Sequence, residues 1–176
     1  YGFAGPYIPD SDVSPIWNPE FFGNVMVVNG RSWPFLEVER RRYRFRFLNG
    51  CDSRFLVLTL SRDGLPFWQI GADGGFLPAP ARLDQLLMGP AERADVIVDF
   101  TNVPVGTEIV LLNRGPDEPF SGGDPDDEFD VSDPETTGLV MQFRVVSARS
   151  SDASKPPEAL VLPQTAALPP ATLTRL

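Results

Sequence analysis

"NVMVVNGRSWPFLEVERRRYRFRFLNG", residues 24–50, decides the fold. Within Arg42–Leu48, Tyr43, Phe45 and Phe47 alternate with Arg44 and Arg46. A period of two sends the rings to one face and the guanidinium groups to the other, the mark of a strand with one buried face. Asn29-Gly30 supplies a two-residue hairpin turn, because both central positions of a type I′ turn need positive φ. Val25–Val28 is expected to enter that hairpin and Trp33–Val38 to return from it, with Pro34 confining the return strand to an edge or a bulge.

Outward from this stretch the pattern repeats. Phe55–Leu60, Pro66–Ile70, Leu83–Met88, Asp95–Phe100, Ile109–Leu112 and Leu139–Val146 read as strands, punctuated by Arg62-Asp63-Gly64, Asp73-Gly74-Gly75 and Gly89-Pro90. About one strand per ten residues, with no sustained 3.6-residue period, indicates an all-β sandwich or barrel. Nineteen prolines and fifteen glycines in 176 residues favour the same short strands joined by turns. Residues 1–16 read as an irregular N-terminal segment broken by Gly5-Pro6 and Ser14-Pro15. Residues 147–176, with Pro156-Pro157, Pro163 and Pro169-Pro170, read as an extended linker.

The net charge of −9 is unevenly placed. Nine of the 24 acidic residues lie between Gly115 and Phe143, where no lysine or arginine occurs, leaving 15 acidic against 15 basic residues elsewhere. The body is therefore near neutral, and residues 115–135, with four prolines, are expected to form an exposed, mobile acidic loop. Phosphate-rich partners are repelled by such a chain, which argues against nucleic acid. No apolar run approaches the roughly 20 residues of a membrane span. Cys51 stands alone, so no internal disulfide can form.

The inventory for chemistry is short. There is no histidine, so neither a Ser-His-Asp nor a Cys-His arrangement can be assembled. Copper, zinc and non-haem iron sites draw on histidine or clustered cysteine, and this chain offers neither. From Asp124, the acids Asp126, Glu128, Asp130 and Glu135 fall at calcium-loop spacing, but Phe129 occupies the obligatory glycine position. A solvated acidic loop explains them as well. Asp73 with Glu92 or Asp95 could in principle act as a glycosidase pair, yet Asp95 and Asp99 share the outer face of one strand and Asp73 suits its own turn. Arg40, Arg41, Arg42, Arg44 and Arg46 interleave with aromatics, but an RNA-binding sheet presents rings and cations on one face, and alternation here parts them. Pairing with the sheet's own carboxylates is the simpler role. Cys51 reads as a half-buried free thiol. Trp17, Trp33 and Trp68 leave open a second function class, a stand-alone β-sandwich binding module for carbohydrate or protein, against the plainer reading as core or interdomain contacts.

Four segments carry a family resemblance. "WNPEFFGNVMVVNGRSWPFLEVERRRYRFRFLNGCDSRF", "QIGADGGFL", "GPAERADVIVDF" and "GLVMQFRV" occur in order across about residues 17–146. Together they closely resemble the middle cupredoxin domain of bacterial three-domain multicopper oxidases, the spore-coat laccase, bilirubin oxidase and phenoxazinone synthase group. The resemblance implies a Greek-key β-sandwich of cupredoxin type over 17–146, with 147–176 leading toward a third domain. It implies a parent enzyme that takes single electrons from phenolic or similar substrates and reduces dioxygen to water at copper. In that family the copper ligands lie in the first and third domains, which would be this domain's partners, so no copper is expected in this piece. Many relatives are extracellular or at the cell surface.

The family's first strand, of the "PLVIQDR" kind, is not matched here. One sheet edge is then expected to stand unpaired, a surface open to self-association. The resemblance also implies a substrate-entrance rim at Phe22, Gly23, Gly122 and Gly123. Some relatives bridge this region by a disulfide whose cysteines are absent here, so packing alone would hold the rim. Tyr43, Phe45, Phe47, Val96, Val98 and Phe100 are expected in the core; Trp33, Phe35 and Trp68 are expected at its ends or against neighbouring domains. Glu92-Arg93-Ala94-Asp95 is expected to fix the turn entering its strand through charge-assisted hydrogen bonds.

Overall fold

The computed structural model describes residues 20–164. The irregular segment 1–16, Trp17 and residues 165–176 of the linker lie outside the described residues. The Asn29-Gly30 turn forms as its chemistry dictates, with φ of 50° and 80°. It joins β1 (Val27–Val28) to β2 (Arg31–Ser32) in a small ribbon. The return strand stops there rather than running from Trp33 to Val38. Trp33 takes a positive φ of 44° and Pro34 has no N–H to donate, so the ladder breaks and the chain changes sheet.

The remaining strands are β3 (Phe35–Glu39), β4 (Arg42–Leu48), β5 (Leu56–Leu60), β6 (Phe67–Ala72), β7 (Gly75–Leu83), β8 (Leu86–Met88), β9 (Arg93–Asp99), β10 (Glu108–Asn113) and β11 (Leu139–Val146). They form two sheets, ordered β3-β11-β10-β5-β8 and β4-β9-β6-β7. Only β3 with β11 is parallel. Apart from the same-sheet pairs β6-β7 and β10-β11, consecutive strands from β3 onward cross between layers, giving the β-sandwich expected of a cupredoxin.

β7 escapes a sequence reading. Pro78 and Pro80 argue against a strand, but β7 lies at a sheet edge and its register slips opposite Gln69–Gly71, where the missing ladder donors do no harm. The apolar run Leu83–Met88 is correspondingly two pieces: Leu83 ends β7, and Leu86 starts β8 in the other sheet.

Val38, Val96, Val98, Phe100, Ile109 and Phe143 are fully buried between the sheets. Each such side chain contributes roughly 1.5–3 kcal/mol of burial free energy. Tyr43, Phe45 and Phe47 point at the same core as a stacked ladder with 5.9 Å between neighbouring centroids. They remain half-buried, however.

Outside the second sheet, residues 147–164 cross as a strap. Leu160 and Leu162 pack on Ile70, Ile97, Trp68 and Leu77. The Asp152 carboxylate accepts the Ser154 and Arg42 backbone N–H groups at 2.9 and 3.1 Å. Those amides, Ser154 first, with the Ser154 hydroxyl and the Arg42 charge, hold the Asp152 carboxyl down to about 2. This segment makes one 3-10 turn at Pro157–Ala159 and is clipped to the domain.

Candidate functional site

The acidic loop is exposed along most of its length, as expected, and its base is anchored to the body. Asn113, at the end of β10, is buried; its side-chain oxygen accepts the Val57 and Gly115 N–H groups, and its amide donates to the Ser132 hydroxyl at 2.7 Å. Gly115 is required here, since a Cβ would stand 2.6 Å from the Phe55 carbonyl oxygen. Pro116, Ser132 and Thr137 are buried within the loop's own base. Phe120 packs on Phe55 and Phe129 on Phe120, at centroid distances of 5.0 and 5.5 Å. Composition alone made this segment look unable to bury anything. The body supplies the partners that the loop's composition lacks.

One ion pair organises the clamp. Arg54 is 4% exposed and reaches Asp117 at 2.8 Å, while the Phe22 ring lies 5.6 Å from its guanidinium carbon. The Thr137 hydroxyl donates to Asp117 at 2.6 Å and the Asp133 N–H at 3.2 Å. Burial raises the Asp117 carboxyl, but these hydrogen bonds and the Arg54 charge together outweigh it and leave it below the usual carboxylate range. Asn49 closes the other side, donating to the Arg54 and Met88 carbonyls. Arg54, Asn113, Asn49 and Asp117 were not legible as a unit, because 63 residues separate Arg54 from Asp117.

Of the residues of the expected entrance rim, Phe22 touches this clamp, and Gly122 and Gly123 follow Asp117 in the same loop. Phe22 stacks on Arg54, and Gly23 borders an adjoining groove. Gly122 and Gly123 have φ of 96° and 100°, and a Cβ on Gly123 would collide with Glu128.

That groove, of about 930 Å³, opens between β3 and β4. Its floor is apolar, from Phe45, Phe47, Leu58, Leu111 and Met141. Its margin holds the exposed side chains Val27, Phe35, Leu36 and Leu48. Cys51 borders it too; burial pushes its thiol up and outweighs the nearby Arg54 charge, which makes it a poor nucleophile.

The remaining candidates are engaged elsewhere. Arg42 pairs with Asp99 and Arg44 with Asp95, as alternation predicts, and Arg41 pairs with Glu39 at the turn before β4, whereas Arg40 and Arg46 have no ion-pair partner among the described residues. Glu92 accepts the Gly89 N–H at 2.7 Å, and Arg93 reaches Asp73 at 2.7 Å, so the turn is fixed by charge as expected. No glycosidase pair is left free among these acids. In the acidic loop Asp126 pairs with Arg114, and Glu128 accepts the Asp124 N–H. Among the described residues no three His, Cys, Asp or Glu side chains converge on a metal position. Trp33 donates to the Thr136 carbonyl at 3.0 Å, whereas Trp68 lies under the strap on the second sheet, so these two form no common platform.

Comparison with known proteins gives a consistent pattern. No family model matches the chain. It is 45% identical over 165 residues to Multicopper oxidase LPR1 homolog 5 of Oryza sativa subsp. japonica, covering 90% of this chain and 25% of that protein. It is 40% identical over 153 residues to the laccase of Bacillus subtilis (strain 168), covering 86% and 26%. The crystal structure of the McoA multicopper oxidase from Aquifex aeolicus superimposes with a TM-score of 0.64 at 34% identity, over 85% of this chain and 32% of that one. The chain therefore spans about a quarter to a third of the proteins it matches.

Proposed function

We propose, from the premise that this chain belongs to the laccase-like multicopper oxidases as a cupredoxin-like domain, that it is their copper-free middle domain. In this reading the parent enzyme couples one-electron oxidation of phenolic or similar substrates to reduction of dioxygen to water. This domain holds the copper-bearing first and third domains in position. Its Phe22, Gly23, Gly122 and Gly123 contribute to the substrate entrance, kept in place by the Arg54–Asp117 clamp in lieu of a disulfide.

The observation that carries the reading is the donor set. Blue and type 2 copper centres are built on imidazole, with a thiolate in the blue case. This sequence has no histidine and one cysteine. That thiol is half-buried and its proton is held tightly by its surroundings. Met26, Met88 and Met141 are packed in or against the core. The residues present do not fit copper, and the chemistry of the parent must be supplied by other parts of it.

The test is metal analysis of the purified 176-residue chain after loading with copper, together with visible and electron paramagnetic resonance spectra. Less than about a tenth of an equivalent of copper and no phenol oxidation are expected, given the weak affinity of an isolated thiol or carboxylate site. A stoichiometric blue or type 2 signal would overturn the assignment.

A further inference from the structure

We propose that Asn29, at the exposed tip of the β1–β2 ribbon, is a site of spontaneous deamidation and isoaspartate formation that loosens one wall of the groove, whereas the chemically identical pair Asn49-Gly50 is held inert by its surroundings. Asparagine followed by glycine occurs at these two places and nowhere else in the sequence.

The reaction needs no reagent but water. The Gly30 backbone nitrogen attacks the Asn29 side-chain carbonyl carbon. The N–Cγ bond forms, the Cγ–Nδ2 bond breaks, and ammonia leaves with the proton that the Gly30 nitrogen gives up. Water then opens the five-membered imide. Opening at Cγ yields aspartate; opening at the main-chain carbonyl yields isoaspartate, with the chain routed through Cγ. No group is oxidised or reduced. Glycine in the second position leaves the attacking nitrogen unshielded, because it carries no Cβ.

The two pairs sit in opposite environments. Asn29 and Gly30 are both exposed. Neither the Asn29 side-chain amide nor the Gly30 N–H has a hydrogen-bond partner among the described residues. A Cβ placed on Gly30 would meet nothing within 4 Å, so the imide ring has room. β1 and β2 contribute two residues each, and so short a ribbon opens readily enough for the side chain to reach the Gly30 nitrogen.

Asn49, by contrast, is 1% exposed. Its side-chain nitrogen donates to the Arg54 and Met88 carbonyls at 2.9 and 3.0 Å, and its side-chain oxygen accepts the Cys51 N–H at 3.0 Å. Its own N–H and carbonyl are bonded to Glu92 and Ala91. The side-chain bonds must break before Gly50 can attack, so reaction there waits on local unfolding.

The two products affect the ribbon differently. Aspartate keeps the turn, since Asp-Gly suits the same type I′ geometry, and adds a negative charge close to Arg31. Isoaspartate puts an additional backbone carbon into a two-residue turn. The pairs Val28↔Arg31 and Val27↔Ser32 then lose their common register. Val27, Val28, Asn29 and Arg31 line the groove, so loosening the ribbon widens its mouth.

Warm incubation at mildly alkaline pH, followed by peptide mapping with mass analysis, tests this on the 176-residue chain and on the full-length polypeptide of the reading above, each compared with itself in urea. In the native state residue 29 is expected to deamidate about 100-fold faster than residue 49, and in urea the two rates should agree within about threefold. Equal native rates in the full-length protein overturn the proposal, as does a native rate at residue 29 about tenfold or more below its own rate in urea. Should the shorter chain not fold, the full-length protein decides alone. A second arm reads the ribbon itself through the Trp33 amide, which donates to the Met26 carbonyl at 3.1 Å. Its hydrogen exchange should be about 10-fold faster in the isoaspartate form, while Asn29→Asp stays within about twofold of the unmodified protein. An unchanged Trp33 rate in the isoaspartate form overturns the effect on the groove wall. Copper content does not enter these readouts, so the inference and the middle-domain reading can fail separately.

Discussion

β4 and β9 are hydrogen-bonded neighbours that present the same alternation to the same core, and they end in different states. Val96 and Val98 on β9 and Phe100 just beyond it are fully buried. Tyr43, Phe45 and Phe47 on β4 are larger and more apolar in total, yet half-buried. The difference lies in position: β9 has strands on both sides, while β4 has β9 on one side and an open groove on the other. A period of two tells which way a side chain points. It does not tell whether anything stands there to cover it.

Substitution should expose that contrast most strongly. Phe100→Ala is expected to destabilise the domain by about 3–5 kcal/mol, as for a large ring removed from a closed core. Phe47→Ala should cost about half as much, because water already reaches its ring and little new cavity forms. Denaturant unfolding of the two variants decides it: equal costs would mean that the groove is closed in solution.

A second contrast sets the acidic loop against the free edge of β4. The loop has the composition of a disordered segment but an internal anchor; the edge has the composition of a core strand but no neighbour. Arg54→Leu should test the anchor. It strips Asp117 of its charge partner and should cost about 1–3 kcal/mol, since Asp117 remains partly in water and can resolvate. Limited proteolysis within 115–135 is expected to accelerate in step. Unchanged cleavage would mean that Phe120, Phe129 and Pro116 hold the loop without the ion pair.

The smallest effect is acid sensitivity. Asp117 and Asp152 both have carboxyls held below their ordinary range. A depressed folded pKa contributes stability that is fully present above the unfolded value and lost as pH falls through the folded one. Loop and strap should therefore stay attached from neutrality to about pH 4, near the unfolded carboxylate value. Below that they should loosen together, the strap persisting toward pH 2. Titration followed through Trp68 fluorescence, whose ring lies under the strap, checks this; release near pH 6 would contradict it.

Strands with clean alternation and specific turns were legible in advance. Arg42–Leu48 and Leu139–Val146 form as read, Asn29-Gly30 turns as read, and Arg41, Arg42 and Arg44 find carboxylates of the sheets. The misreadings came where a local rule met a tertiary exception. Prolines in β7 are tolerated because β7 is an edge with a register slip. Trp33–Val38 leaves its hairpin because Trp33 and Pro34 break the ladder. The clamp of Arg54, Asp117, Asn113 and Asn49 left no trace in spacing, since a buried polar residue announces itself only once its partner is known.

What the amino-acid sequence determined by itself is the periodicity of its strands, the chemistry of its turns and the lack of imidazole, all properties of near neighbours or of simple count. Tertiary structure alone decided which strands lie at an edge, which charge is buried and where the two layers fail to close. Those outcomes depend on contacts between residues tens of positions apart, and on the space left when every described strand has found its place.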